Sequence, residues 1–127
     1  MSENPVRVIV HYRDPRGPTG AVTAAYEEAG RTLRDTPGLI GHELLAVPEA
    51  DGRYALLMAW RDFSSYRDWE RSLRAAGHPS PLRTYQDRTR PAGHYEVFEV
   101  HDAWYKAEGG MAEGGMAEGG MAREPLS

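Results

Sequence analysis

Apolar and polar residues alternate strictly near the start of the chain. In "VRVIVHY", Val6, Val8, Val10 and Tyr12 fall on one side and Arg7, Ile9 and His11 on the other, as in a strand with one face toward a core. After the turn-rich "RDPRGPTG" the period changes. Val22, Tyr26, Ala29 and Leu33 recur at three- and four-residue intervals, which predicts a helix from about Pro18 to Asp35. Thr36-Pro37-Gly38 stops it, because proline disfavours helical geometry in the residue before it. Two strands follow, about Ile40 to Val47 and Tyr54 to Arg61, joined by "PEADGR" with its Asp-Gly turn signal. Asp62 is a helix N-cap, and Phe63, Tyr66, Trp69 and Leu73 form the apolar stripe of a second helix that ends at Gly77. A segment rich in Pro and Arg then leads to a last strand, "HYEVFEV", from His94 to Val100.

The order β-α-β-β-α-β defines an α+β, ferredoxin-like fold, one antiparallel sheet with two helices on one face. The helix-free face still carries Ile9, Ala55 and Leu57. An apolar sheet face of that size calls for a partner, so the expectation is a homodimer joined sheet to sheet. The pattern stops near residue 106. Beyond it the pentapeptide AEGGM repeats, and two glycines in every five residues make a helix costly, at about 1 kcal/mol per glycine relative to alanine. Residues 1–106 are therefore expected to form the domain and residues 107–127 a flexible tail.

Composition narrows the function classes. The chain has 127 residues, enough for one domain with a core. Its formal charge of −4 and its scattered arginines, with Lys106 the only lysine, argue against nucleic-acid binding. No cysteine is present, which excludes disulfides, thiolate metal sites and a cysteine nucleophile. The start "MSENPVRVIV" lacks the basic-then-apolar order of a secretion signal, and no apolar run approaches the roughly 20 residues that span a bilayer. The expectation is a cytoplasmic protein with no membrane partner.

The densest stretch is "LLMAWRDFSSYRDWERSLRAAGHPSPLR", residues 56–83. A strand ending in Ala-Trp, a polar cap, the helix "RDFSSYRDWERS" and a following His-Pro resemble the antibiotic biosynthesis monooxygenase family, small proteins of the dimeric α/β barrel type. "PGLIGHEL" is similar to that family's entry into its second strand. The resemblance runs from about Val6 to Val100.

That resemblance implies a pocket for a flat aromatic substrate and oxidation of an anthrone or phenol to a quinone or hydroxylated product. Oxygen would be co-substrate, without flavin, haem or metal, because the deprotonated substrate reduces O2 directly. The protein has only to bind the aromatic, favour its anion and exclude water. By the same resemblance Trp60 matches the strand-end Trp, Tyr66 the helix Tyr, and Arg83 falls near a family arginine. Quinone-forming members can carry Asn four residues before that Trp, where this chain has Leu56. The polar group facing the substrate anion would then come from His11, His78 or Arg83.

Other candidates follow from position. Leu56 and Met58 share a strand face with Trp60; Tyr12 lies on the first strand; Phe63 and Trp69 lie on the second helix. All five are expected to line the pocket, with Trp69 and Phe63 also joining helix to sheet. His78 sits at a helix end, where the dipole favours a charged imidazole. It also follows Trp69 by nine residues, a spacing similar to that of haem-degrading relatives, so haem breakdown is an alternative, with haem as its cofactor. Another is a cyclase, isomerase or binding protein of the same fold that performs no redox chemistry. Arg83 and Arg88 occupy a loop able to lid the pocket, or Arg83 pairs on the surface with Asp87. His42, His94 and His101 show no metal-ligand spacing and are expected to be incidental.

Overall fold

The computed structural model describes residues 3–17, 19–77 and 79–107. The strands are β1 (Val6–Arg13), β2 (Leu39–Ala46), β3 (Arg53–Trp60) and β4 (Tyr95–Glu99), and the helices α1 (Ala21–Leu33) and α2 (Phe63–Ala76). All neighbouring strands are antiparallel, in the order β2-β3-β1-β4. This is the expected ferredoxin-like sheet. No helix among the described residues is long and apolar enough to cross a membrane. The AEGGM repeats lie outside the described residues.

Register follows directly from the alternation. Val6, Val8, Val10 and Tyr12 stand opposite Trp60, Met58, Leu56 and Tyr54. Cross-strand partners share a face, so these residues build one apolar layer, and the helices cover it. All but Tyr54 are buried, Trp60 completely. Val22 and Ala29 of α1 and Tyr66 of α2 close the core from above. The other face carries Arg7, Ile9 and His11 beside Ala59, Leu57 and Ala55.

The helix termini show how local chemistry sets boundaries. Asp62 accepts the Ser65 backbone N–H at 2.8 Å, and α2 ends where Gly77 adopts φ 71° and donates to the Arg74 carbonyl. Both ends agree with the sequence reading. Helix α1 is shorter than the expected Pro18–Asp35. It starts after Gly20 at φ 88°, and no side chain caps it.

The segment between α2 and β4 is not a free loop. It makes one 3-10 turn, Arg83–Tyr85, and buries Leu82 and Asp87. The Asp87 N–H donates to the His11 carbonyl at 2.9 Å, and the His11 N–H to the His94 carbonyl at 2.7 Å. The segment is thereby stitched to the end of β1. Asp87 accepts from the Thr89 N–H and hydroxyl rather than pairing with Arg83.

Gly38, immediately before β2, passes against the first turn of α2. Its φ is +83°, and a Cβ there would overlap the Ser65 hydroxyl and Cβ. Gly38→Ala should lose about 2–4 kcal/mol in a urea titration, through combined strain and overlap. Gly41→Ala, with nothing within 4 Å of the added carbon, should change stability by about 0.5 kcal/mol or less. Equal effects of the two would refute this reading.

Candidate active site

Strand β3 delivers Trp60 to the point where α2 begins, and α2 returns Tyr66 and Trp69 over it. The Trp60 ring lies 5.9 Å from Tyr66, edge to face, and 5.4 Å from Trp69. Such aromatic pairs contribute about 0.5–1.5 kcal/mol beyond area burial. Among the described residues the packing leaves one buried side-chain polar group out: Trp60 Nε1 is fully buried and has no hydrogen-bond partner there. An unpaired buried donor costs about 1–3 kcal/mol, so its persistence asks for a reason. Tyr66 is buried too, and burial followed by the nearby Glu70 carboxylate raises its pKa, so the phenol keeps its proton.

A strip beside this cluster is uncovered. Tyr95 and Val97 stand opposite Val10 and Val8 and so face the helix side, yet they remain 44% and 37% exposed. Tyr95 lies within electrostatic reach of Tyr66 and meets the His94 ring at a tilt of 57°, with ring centroids 5.2 Å apart. The His94 pKa is lowered by burial and then by the Arg88 and Arg83 charges. Tyr95 thus links Tyr66 and His94 electrostatically, and the Arg83 and Arg88 charges act on His94 in turn. Arg83 and Arg88 also line a shallow depression with Pro79, Pro81 and Gln86.

Other expected residues lie elsewhere. Leu56 and Met58 are buried floor of the apolar layer, and Tyr12 is buried at its far end with a pKa raised by burial. His11 points to the opposite, helix-free face, where its Nε2 lies 3.2 Å from Glu96 Oε1. One residue of strand parity separates it from Val10 and from the aromatic cluster, so it cannot reach a substrate held there. His78 lies outside the described residues. Phe63 is 39% exposed rather than core. It occupies the first position of α2, beyond the sheet edge, with its ring 6.1 Å from Tyr66 and the Arg67 guanidinium 5.6 Å above it.

One pair was missed from the sequence. Tyr26 on α1 and His42 on β2 meet in a groove of about 520 Å³, with the Tyr26 hydroxyl 2.8 Å from His42 Nδ1. The available signal was phase: His42 alternates with Leu44, and it stands opposite buried Met58.

Residues 5–78 match the family model described as antibiotic biosynthesis monooxygenase, and the chain belongs to that family. Three solved structures share the fold. SnoaB of Streptomyces nogalater, a cofactor-independent oxygenase, is 16% identical over 81% of this chain and 99% of its own, with a TM-score of 0.60. A monooxygenase from the gene ActVA-Orf6 of Streptomyces coelicolor, in complex with nanaomycin D, is 16% identical over 83% and 94%, at 0.58. The heme-degrading protein of Mycobacterium tuberculosis is 18% identical over 82% and 99%, at 0.57. No curated protein matches the chain in sequence.

Burial lowers the His42 pKa, and burial with nearby arginines lowers that of His94. The unfolded chain, with imidazoles near about 6.5, therefore binds protons that the folded chain refuses. Stability rises with pH between the lowered values and about 6.5, and it falls as the solution is acidified through that window. His42→Gln should flatten the acid decline of Tm measured from about pH 7 to about pH 5. An unchanged slope would show that folding does not restrain His42 protonation.

Proposed function

We propose that the protein is a cofactor-independent monooxygenase that oxidises an electron-rich aromatic polyketide, an anthrone or related phenol, with O2. The observation that carries this reading is the buried Trp60 N–H, partnerless among the described residues, in one aromatic cluster with the protonated Tyr66, whose ring lies 5.9 Å away. Two donors within one aromatic cluster suit a flat substrate that enters among the rings and whose oxygen becomes anionic. A charge-assisted hydrogen bond to that oxygen is about twice as strong as a neutral one. It favours the enolate or phenolate, which is the electron-rich form that reacts with O2. Family membership and the oxygenase described for SnoaB support the reaction class.

The balance of the reaction is simple. The anthrone methylene loses a proton, and the resulting anion transfers electrons to O2. One oxygen atom becomes the new quinone carbonyl, and the other leaves as water with the two methylene hydrogens. Substrate supplies all the reducing equivalents. The protein holds the ring, stabilises the anion and keeps solvent from the intermediate. Arg83 and Arg88 add positive charge along the same side, at His94.

Metal-free protein mixed with an anthrone in air should consume oxygen and develop quinone absorbance, with a product that has gained one oxygen and lost two hydrogens. Trp60→Phe keeps an aromatic side chain, of smaller volume, and removes the N–H; it should lower kcat/KM by about 10–100-fold, the range for one lost hydrogen bond to a charged group. Its circular dichroism should match the wild type. Tyr66→Phe should cost about tenfold. No oxygen uptake on any anthrone, or a product of unchanged or dehydrated mass, would overturn the monooxygenase reading.

We also propose that two copies join through the helix-free sheet face. Ile9, Ala55 and Leu57 lie there beside exposed Leu45 and Phe98, at 41% and 49%. Trp104 and Tyr105, 80% and 61% exposed just after β4, add apolar surface. Light scattering should give twice the chain mass, and Leu57→Glu should return it to one. A wild-type monomer at high concentration would refute the dimer.

A further inference from the structure

The groove between α1 and β2 is lined by none of Trp60, Tyr66 and Trp69, and meets that cluster only through Leu39, which stands opposite Trp60. Leu33 and Leu39 give it apolar walls, Tyr26 and His42 a polar end, and Arg31, Arg34 and Glu27 stand around it. Tyr26 is half-buried, and its pKa is raised by burial and then by the Glu43 charge; that of His42 is lowered by burial. The phenol therefore stays protonated and the imidazole neutral. The Tyr26 hydroxyl lies 2.8 Å from His42 Nδ1 and 3.5 Å from the His42 carbonyl; where it donates across the shorter contact to a neutral ring, the imidazole proton resides on Nε2. That N–H has no protein partner among the described residues.

Gly30 faces the same imidazole edge. A Cβ at this position would lie 3.4 Å from His42 Cε1 and 3.9 Å from Nε2, ordinary contact distances. Glycine inside a helix is about 1 kcal/mol less favourable than alanine. Helix α1 thus forgoes stability at a position where a methyl group would pack against the Cε1–Nε2 edge of the imidazole. Two arginines and one glutamate line the groove, the Glu43 charge also reaches Tyr26, and neither Arg31 nor Arg34 makes an ion pair among the described residues.

We propose that this groove is a second small-molecule site that binds an aromatic carboxylate. The ring lies against Leu33 and Leu39, and the carboxylate accepts from His42 Nε2–H and from the arginines of α1. Tyr26 is a positioning residue, because its hydrogen bond to Nδ1 holds the imidazole proton on the nitrogen that meets the ligand. The groove volume of about 520 Å³ accommodates two fused rings.

The test is a titration of the full chain with 2-naphthoate, followed by calorimetry and by backbone amide NMR shifts. The expected result is saturable binding with shifts centred on Gly30, Gly41 and His42. 2-Naphthamide, the neutral analogue, should bind about tenfold more weakly or worse, as one charge-assisted contact is lost. Gly30→Ala should keep or raise Tm while weakening 2-naphthoate about tenfold, and Tyr26→Phe should weaken it without unfolding the chain. Trp60→Phe should leave this affinity within about twofold, which separates the groove from the oxygenase site. The proposal is overturned if no saturable shift appears at these residues, or if amide and carboxylate bind alike. It is equally overturned if a folded Gly30→Ala binds as the wild type does, or if Trp60→Phe abolishes binding.

Discussion

Complete burial of the Trp60 indole at the end of β3 dictates where much of the rest must lie. An indole that large has to be covered from the helix side, and the chain has two residues after it before α2 begins. Tyr66 and Trp69, three residues apart on one helix face, supply the cover. Asp62 fixes the start of that helix through its bond to Ser65, and Gly38 passes close enough to touch the same serine. Truncating such a side chain to alanine typically costs about 3–5 kcal/mol. The same packing strands the indole N–H, so the group most important to the core is also the one with unused bonding capacity.

The sheet divides chemistry by parity. Along β1, even-numbered residues from Val6 to Tyr12 enter the core, and odd-numbered Arg7, Ile9 and His11 look the other way. A histidine therefore stands within one residue of the core layer and yet belongs to a different surface, where Glu96 and Arg90 gather around it. In the proposed dimer that surface is the interface. On β2, past the irregularity between Leu39 and Gly41, the parity is the same: even-numbered His42, opposite Met58, turns inward toward Tyr26. Two histidines of similar sequence context thus acquire unrelated environments, one by facing away from the helices and one by facing them.

Much of this was legible beforehand. The 2.0 and 3.6 periods gave all six major elements, and for α2 the bounds were readable because Asp62 and Gly77 are strong local signals. Helix α1 offers no such cap, so its first turn was overestimated. Phe63 carried the right spacing for the core but sits at the first position of its helix, past the sheet that would have buried it. Trp60 and Tyr66 were identifiable as neighbours. The Tyr26–His42 pair was not, because its members are 16 residues apart and belong to different periodicities.

Sequence alone determined the element order, the apolar faces and the strand-end tryptophan, because periodicity and capping act between residues a few positions apart. Tertiary structure decided which polar atoms are left without partners and which charges share a surface. Those outcomes depend on distances between elements that the chain brings together only when the sheet closes. The unpaired Trp60 N–H, the His42 edge uncovered at Gly30 and the separation of His11 from the aromatic cluster are all of this second kind.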